Sequence, residues 1–265
     1  MSRKTREFAA AKDAYEAFAP VYDDFTANHN FVLWLEELWP AFERHCPAGR
    51  NLLDVGCGTG KSFLAMLDRG WTVTACDISP RMLEIAREKA QGRASLVEAD
   101  MRSLPQLGKF DLVWCLDDAL NYMVDREQLT QALAGMRSNL APGGLLVFDV
   151  NTIKVFRTFF AEEVVVEMGG RRLIWRGISA KDTPSGGFGE ARLEAERLDE
   201  SGDEEVPTHI HRERHFDEAT VLEAMTRAGL DCLEVYGHDD DAVPEQPLNE
   251  EHHTKAVYLG RTATG

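Results

Sequence analysis

From about residue 50 to residue 150 the chain alternates short apolar runs with amphipathic stretches. The runs are Leu52 to Val55, Trp71 to Cys76, Phe110 to Leu116 and Leu145 to Phe148. Strand and helix signals that alternate in this way predict a doubly wound parallel sheet. The intervening helices show in their spacing and their ends. Lys61 to Arg69 carries Phe63, Leu64 and Leu67 at helical intervals. Ser79 and Pro80 supply an N-cap and a first-turn proline for a helix through Ala90, stopped by Gly92. Asp125 and Gln128 form a capping-box-like start for a helix with Leu129, Ala132, Leu133, Met136 and Leu140 on one face. A further helix begins at Asp217, where Phe216 and Val221 occupy the two positions of a hydrophobic staple.

Between Val150 and Phe216 the period changes. Glu163 to Met168, Arg171 to Ile178, Glu190 to Leu198 and Thr208 to Phe216 tend to alternate polar with apolar. Gly169-Gly170, Pro184 to Gly187 and Ser201-Gly202 break them, so hairpins are expected. Glu190 to Leu198 has a helical composition, and only the turns on either side tip it to strand. The core pattern returns with strands near Leu230 to Tyr236 and Lys255 to Leu259, which makes the middle segment an antiparallel insertion.

The run ending at Val55 breaks into Gly56-Cys57-Gly58-Thr59-Gly60. Glycines there let the backbone approach a ligand closely, because no Cβ intervenes and positive φ costs little. The spacing separates the ligand classes. A phosphate-cradling loop before Lys61-Ser62 needs glycine where Val55 stands, and a dinucleotide fingerprint needs one where Lys61 stands. Asp77 lies at the end of the next apolar run, placed for a carboxylate to hold both hydroxyls of a ribose.

On these residues the chain resembles the class I S-adenosylmethionine (SAM)-dependent methyltransferases. Three further segments carry the resemblance: Glu98-Ala99-Asp100-Met101, Phe110 to Leu116, and Leu140 to Phe148 with its Pro142-Gly143-Gly144 turn. The N-terminal Ala14 to Phe25 looks like the lid helix of sugar N-methyltransferases, with Tyr22 near the sulfonium end of the cofactor and Trp34 as a second lid contact. Phe31 stands where many relatives have tyrosine. The resemblance implies a mostly parallel seven-stranded sheet with an inserted antiparallel β subdomain. It divides the chain into lid helices (1–45), a SAM-binding core (46–150), a β insertion over the acceptor site (151–216) and the rest of the core sheet (217–265). It also implies cofactor contacts from Tyr22, Trp34, Asp54, Gly56, Cys57, Gly58, Gly60, Asp77, Ile78, Met82, Asp100, Met101 and Leu116. Asp54 and the glycines take the methionine end in this reading, and Asp100 with Met101 the adenine. The closest likeness is to aminosugar N,N-dimethyltransferases, so a small metabolite is the expected acceptor, with a homodimer contact through the insertion.

Composition narrows the acceptor. A net charge of −16, thickest at 199–205 and 239–241, leaves no basic face for a polyanion, so nucleic acid is not expected. The 265 residues, 44% hydrophobic, can bury one substantial core and contain no membrane-span-length apolar run. Cys46, Cys57, Cys76, Cys115 and Cys232 are scattered, as reduced core thiols in a cytoplasm would be. Methyl transfer from a sulfonium is an in-line displacement that depends on alignment and exclusion of water. A proton acceptor must then lie past the fourth strand, where Asp117, Asp118, Asn121 and Tyr122 stand. His211 shares a strand face with His209 and is a further candidate catalytic residue. A metal site from Asp117 or Asp118 with Asp149 and Asn151 would resemble that of the catechol O-methyltransferases, which has its Asp and Asn adjacent; Val150 intervenes here, so no metal is expected. Nitrogen is the first choice of acceptor atom, with oxygen or carbon as alternatives. Two other classes share parts of the pattern: a non-methylating SAM-binding cyclase, and an ATPase using Lys61 on phosphate.

Overall fold

A computed structural model describes residues 3–27, 31–45, 49–168, 170–198, 207–238 and 243–263, without the side chains of 3–10 and 31. Cys46, Gly169, the Ser201-Gly202 turn, the two acidic stretches and the side chain of Phe31 therefore lie outside the described residues.

The alternating segment folds as β1 (Asn51–Val55), β2 (Thr72–Asp77), β3 (Ala94–Glu98), β4 (Phe110–Cys115) and β5 (Leu140–Asn151), all parallel to one another. The insertion contributes β6 (Glu163–Met168), β7 (Arg171–Gly177), β8 (Phe188–Arg197) and β9 (His209–Arg214), and the chain ends in β10 (Leu230–His238) and β11 (Lys255–Thr262). Two helices, α1 (Arg3–Phe25) and α2 (Phe31–His45), precede the sheet. Within and after it come α3 (Lys61–Asp68), α4 (Pro80–Ala90), α5 (Arg126–Asn139), α6 (Ile153–Arg157) and α7 (Glu218–Arg227).

The large sheet has the order β10-β11-β5-β4-β1-β2-β3, with β11 antiparallel to both neighbours. Its central strands are buried on both sides, which is why they read as unbroken apolar runs. Leu53, Val113, Leu146 and Phe148 face a core shared with Leu129 and Leu133 of α5 and Val221 of α7. Leu52, Leu112, Trp114 and Val147 face the opposite core, with Leu35 of α2, Phe63 of α3 and Leu83 of α4. The chain winds outward from β1 through β2 to β3 and then returns to place β4 on the other side of β1. Loops leaving β1 and β4 therefore diverge to opposite faces and open a crevice at their carboxyl ends.

The helix ends are built as their residues predict. The Ser79 hydroxyl accepts the Met82 N–H at 3.1 Å, and the carboxylates of Asp125 and Asp217 accept those of Gln128 and Thr220 at 2.9 and 2.8 Å. Phe216 and Val221 are both buried in one cluster. On α3 the buried face is Ser62, Phe63 and Met66, while Leu64 and Leu67 are only partly covered by α2 and the sheet edge, a small rotation from the expected face.

The insertion is a separate antiparallel sheet, β6-β7-β8-β9, and the ambiguous segment is the strand β8. The segment is strand through Arg197 because Ala191 and Leu193 alternate onto one face and join a cluster with Phe18 and Val21 of α1. The opposite face carries Arg176 between Glu163 and Glu194, and Arg172 between Glu167 and Glu196. α1 thus lies between the two sheets.

Candidate functional site

Two adjoining cavities open at the crevice. The first, about 920 Å³ including its mouth, is lined by the turn Gly56-Cys57-Gly58, by Asp77-Ile78 after β2, Asp100-Met101 after β3 and Leu116-Asp117 after β4. α1 roofs it with Tyr15 and Tyr22. Gly56 has φ +76, and a Cβ there would stand 3.1 Å from Ala119 and 3.4 Å from Met101, so glycine keeps this floor open. Asp77 Oδ2 accepts the Gly58 N–H at 2.8 Å and Oδ1 accepts the Ser79 N–H at 2.8 Å. Each oxygen keeps a lone pair for a further donor, which suits a vicinal diol. Burial pushes the Asp77 carboxyl up from its usual range, and backbone bonds from Ser79 and Gly58 counter that.

The roof is fastened across the glycine turn. Glu16 of α1 accepts the Ser79 hydroxyl at 2.6 Å, and Asp23 accepts the Thr59 hydroxyl at 2.7 Å. Lys61 spends its ammonium on the Thr26 carbonyl (2.9 Å) and hydroxyl (2.6 Å) and the Asp23 carbonyl (3.3 Å) at the end of α1. Those bonds cap a helix C-terminus and oppose the phosphate-binding role weighed for Lys61.

Several expected cofactor contacts are placed elsewhere. Asp54 is buried beneath the turn, accepting the Ser62 hydroxyl at 2.5 Å, and burial raises its pKa to about 7. Gly60 starts α3 at φ +89, and a Cβ there would meet the Phe63 ring at 2.8 Å. Met82 is a buried residue of α4, and Trp34 donates to His238 Nε2 at 2.7 Å while packing on the α2–α3 core. These four hold or surround the turn and do not line the cavity. Asp100 does line it, but its carboxylate is paired with Arg102 at 2.7 Å.

The second cavity, about 1460 Å³ with its mouth, lies between α1, α6, the inserted sheet and the loop after β4. Tyr15, Tyr22, Asp117 and Tyr122 line both cavities and form the passage between them. The Tyr22 hydroxyl donates to Asp117 Oδ2 at 3.1 Å. Asp117 and Asp118 are left-handed, φ +63 and +54, a conformation uncommon for non-glycine residues that turns the chain sharply off β4. Asp149 at the end of β5 fixes that turn by accepting both amides, at 2.6 Å from Asp117 and 3.0 Å from Asp118.

Lys255 of β11 stands among these carboxylates, bonded to Asp118, 3.1 Å from Asp149 and 3.5 Å from Asp117. Burial alone would lower its pKa, and Asp118, Asp149 and Asp117 outweigh burial and hold the ammonium charged. Asp118 itself is raised to about 6, by burial first and against the pull of Lys255. Glu213 is pushed well up from the usual carboxylate range by burial and by Asp118. Lys255 and Glu213 carry no local signal in the sequence: each enters the site only through the pairing of distant strands. Among the described residues no carboxylate, thiol and imidazole cluster could hold a metal ion.

Of the expected catalytic residues, Tyr22, Asp117 and Tyr122 are brought together, and His211 joins them through Nδ1, 2.7 Å from the Tyr122 hydroxyl. Burial drops the His211 pKa to about 3, so the ring orients Tyr122 and does not store a proton. Asn121 is different. Its Nδ2 donates to the Arg214 carbonyl at 2.8 Å and its Oδ1 accepts the Asn151 N–H at 2.9 Å, tying the loop to β5 and β9 away from either cavity.

Residues 52–144 match the family described as a methyltransferase domain. A methyltransferase of a Geobacillus species is 26% identical over 237 residues, covering 88% of this chain and 95% of the relative. A Streptomyces fradiae dTDP-3-amino-3,6-dideoxy-α-D-glucopyranose N,N-dimethyltransferase is 29% identical, covering 71% of this chain and 72% of its own. The same fold is found in a SAM-dependent methyltransferase from Clostridium acetobutylicum, with TM-score 0.75 and 21% identity over 95% of this chain and 100% of that one. A sugar N-methyltransferase from a Streptoalloteichus species superposes with TM-score 0.71 at 24% identity, covering 92% and 93%. The crevice, the glycine turn and the match of residues 52–144 agree: the chain carries a methyltransferase domain and has the fold of the SAM-dependent methyltransferases.

Proposed function

We propose that this enzyme transfers the methyl group of SAM to an amine nitrogen of a small metabolite, in a secondary-metabolite pathway of the cytoplasm. The observation that carries this reading is the Tyr22–Asp117 pair in the passage shared by the two cavities. In it Asp77 takes the ribose, Ile78, Met101 and Leu116 enclose the adenosyl part, and Gly56 and Gly58 leave room for the methionine end. SAM supplies the electrophilic methyl group. The acceptor's nitrogen lone pair forms the new N–C bond, the C–S bond's pair leaves with sulfur, and the proton on nitrogen passes to the Asp117 carboxylate. Tyr22 and Tyr122 orient the acceptor, and α1 excludes water. An amine arriving protonated is drawn to the anionic floor and gives that one proton to Asp117 before its lone pair attacks, so the methylated product leaves as an ammonium.

The relative that methylates an amino sugar twice supports nitrogen as the acceptor atom. The test is incubation with methyl-labelled SAM and a panel of amines, phenols, alcohols and activated carbon acids, followed by mass spectrometry. Label on nitrogen is expected. Label confined to oxygen or carbon contradicts the choice of atom, and no transfer to any acceptor favours a SAM-binding cyclase.

A further inference from the structure

The wall of the second cavity is a run of rings. Phe18 meets Phe25 at 5.5 Å, Phe25 meets Trp175 at 6.0 Å, and Trp175 stacks on Phe159 at 4.6 Å and 23°. All four line the cavity, and the run extends inward from Trp175 to His211 at 5.2 Å. A wall of this kind binds flat apolar bodies by ring contact and by displacing poorly held water.

Charge points the same way. Among the described lining residues the cations are Lys154 and Lys255. Lys255 is matched by three carboxylates, and Lys154 donates to the His252 carbonyl at 2.7 Å. The first amides of α6 are also taken, that of Lys154 by the Glu250 carbonyl and that of Val155 by the Thr152 carbonyl. A phosphate entering here would meet a lining in which Asp117, Asp118, Glu162 and Glu213 outnumber the cations, with Lys154 alone to answer it.

Resting on the methyltransferase reading above, we infer that the acceptor is an amine carried on a flat, apolar ring system and bears no phosphate. Its ring lies along Phe25, Trp175 and Phe159, and its amine reaches Tyr22 and Asp117. This separates the chain from its relative whose named substrate is a dTDP-linked amino sugar.

The test is calorimetry on the full chain saturated with S-adenosylhomocysteine, titrated with tryptamine and separately with thymidine diphosphate. Tryptamine should bind saturably, about tenfold or more weakly in Phe159→Ala and near wild-type strength in Phe159→Tyr, which restores the ring. Thymidine diphosphate should give no saturable heat. Should Phe159→Ala prove unstable, Phe25→Ala probes the same wall with the same expectation. Diphosphate binding as tight as tryptamine, no tryptamine binding, or tryptamine affinity indifferent to the wall substitutions overturns the inference and leaves the methyltransferase reading intact. Absence of S-adenosylhomocysteine binding removes that reading instead.

Discussion

Asp54 shows how one residue can shape a binding turn from beneath it. Its carboxyl lies under the glycine turn, fixing Ser62 in the first turn of α3, and burial raises its pKa from the usual 3.8 to about 7. The folded state therefore binds this proton more tightly than the unfolded state. Its stabilising contribution is full below about pH 4 and is lost as pH rises through about 7. Urea unfolding from pH 5 to 8 should show the wild type losing stability relative to Asp54→Asn as pH rises, and parallel curves would contradict this assignment. Sequence placed Asp54 in the motif, yet whether it contacts a ligand depends on where the turn leaves the strand. The left-handed pair Asp117-Asp118 was equally hidden, because aspartate rarely takes positive φ and the bonds from Asp149 that hold it come from another strand.

At the scale of elements, local chemistry was readable wherever a single residue type satisfies an exposed backbone group. Ser79, Asp125 and Asp217 all cap as their positions imply. Replacing Asp125 with alanine should cost about 1 kcal/mol in urea unfolding, the usual worth of an N-cap, and unchanged stability would show that the cap is idle. The inserted strands were legible from their alternation, except that the segment of helical composition was tipped to strand only by its flanking turns; the structure supplies the reason, since Leu193 and Ala191 reach the α1 cluster together. Less legible was the partner of each lid element. Trp34 has the right type for a cofactor contact, but α2 turns it to His238. Asn121 has the right position after β4, but its amide is consumed in joining β5 to β9.

In the whole molecule, the last strand closes the site. Lys255 reaches from β11 to the loop after β4 and balances Asp117, Asp118 and Asp149, carboxylates that come from that loop and from the end of β5. Lys255→Met removes the ammonium shared by buried Asp149 and half-buried Asp117 and Asp118, which should lower unfolding stability by about 3 kcal/mol; a loss below about 1 kcal/mol would mean that water already screens the cluster. Nothing near residue 255 announces this role, whereas the crevice that it completes follows from the strand order, and the strand order from the alternating pattern. The central claim is that the turn after β1, with Asp77, grips an adenosyl group through its ribose and not through phosphates. Isothermal calorimetry with S-adenosylhomocysteine on the wild type and on Asp77→Ala tests it most directly. Saturable binding that weakens by about tenfold or more in the variant, with no competing ATP binding, is the predicted result; equal affinity in the two proteins, or heat with ATP alone, would contradict it.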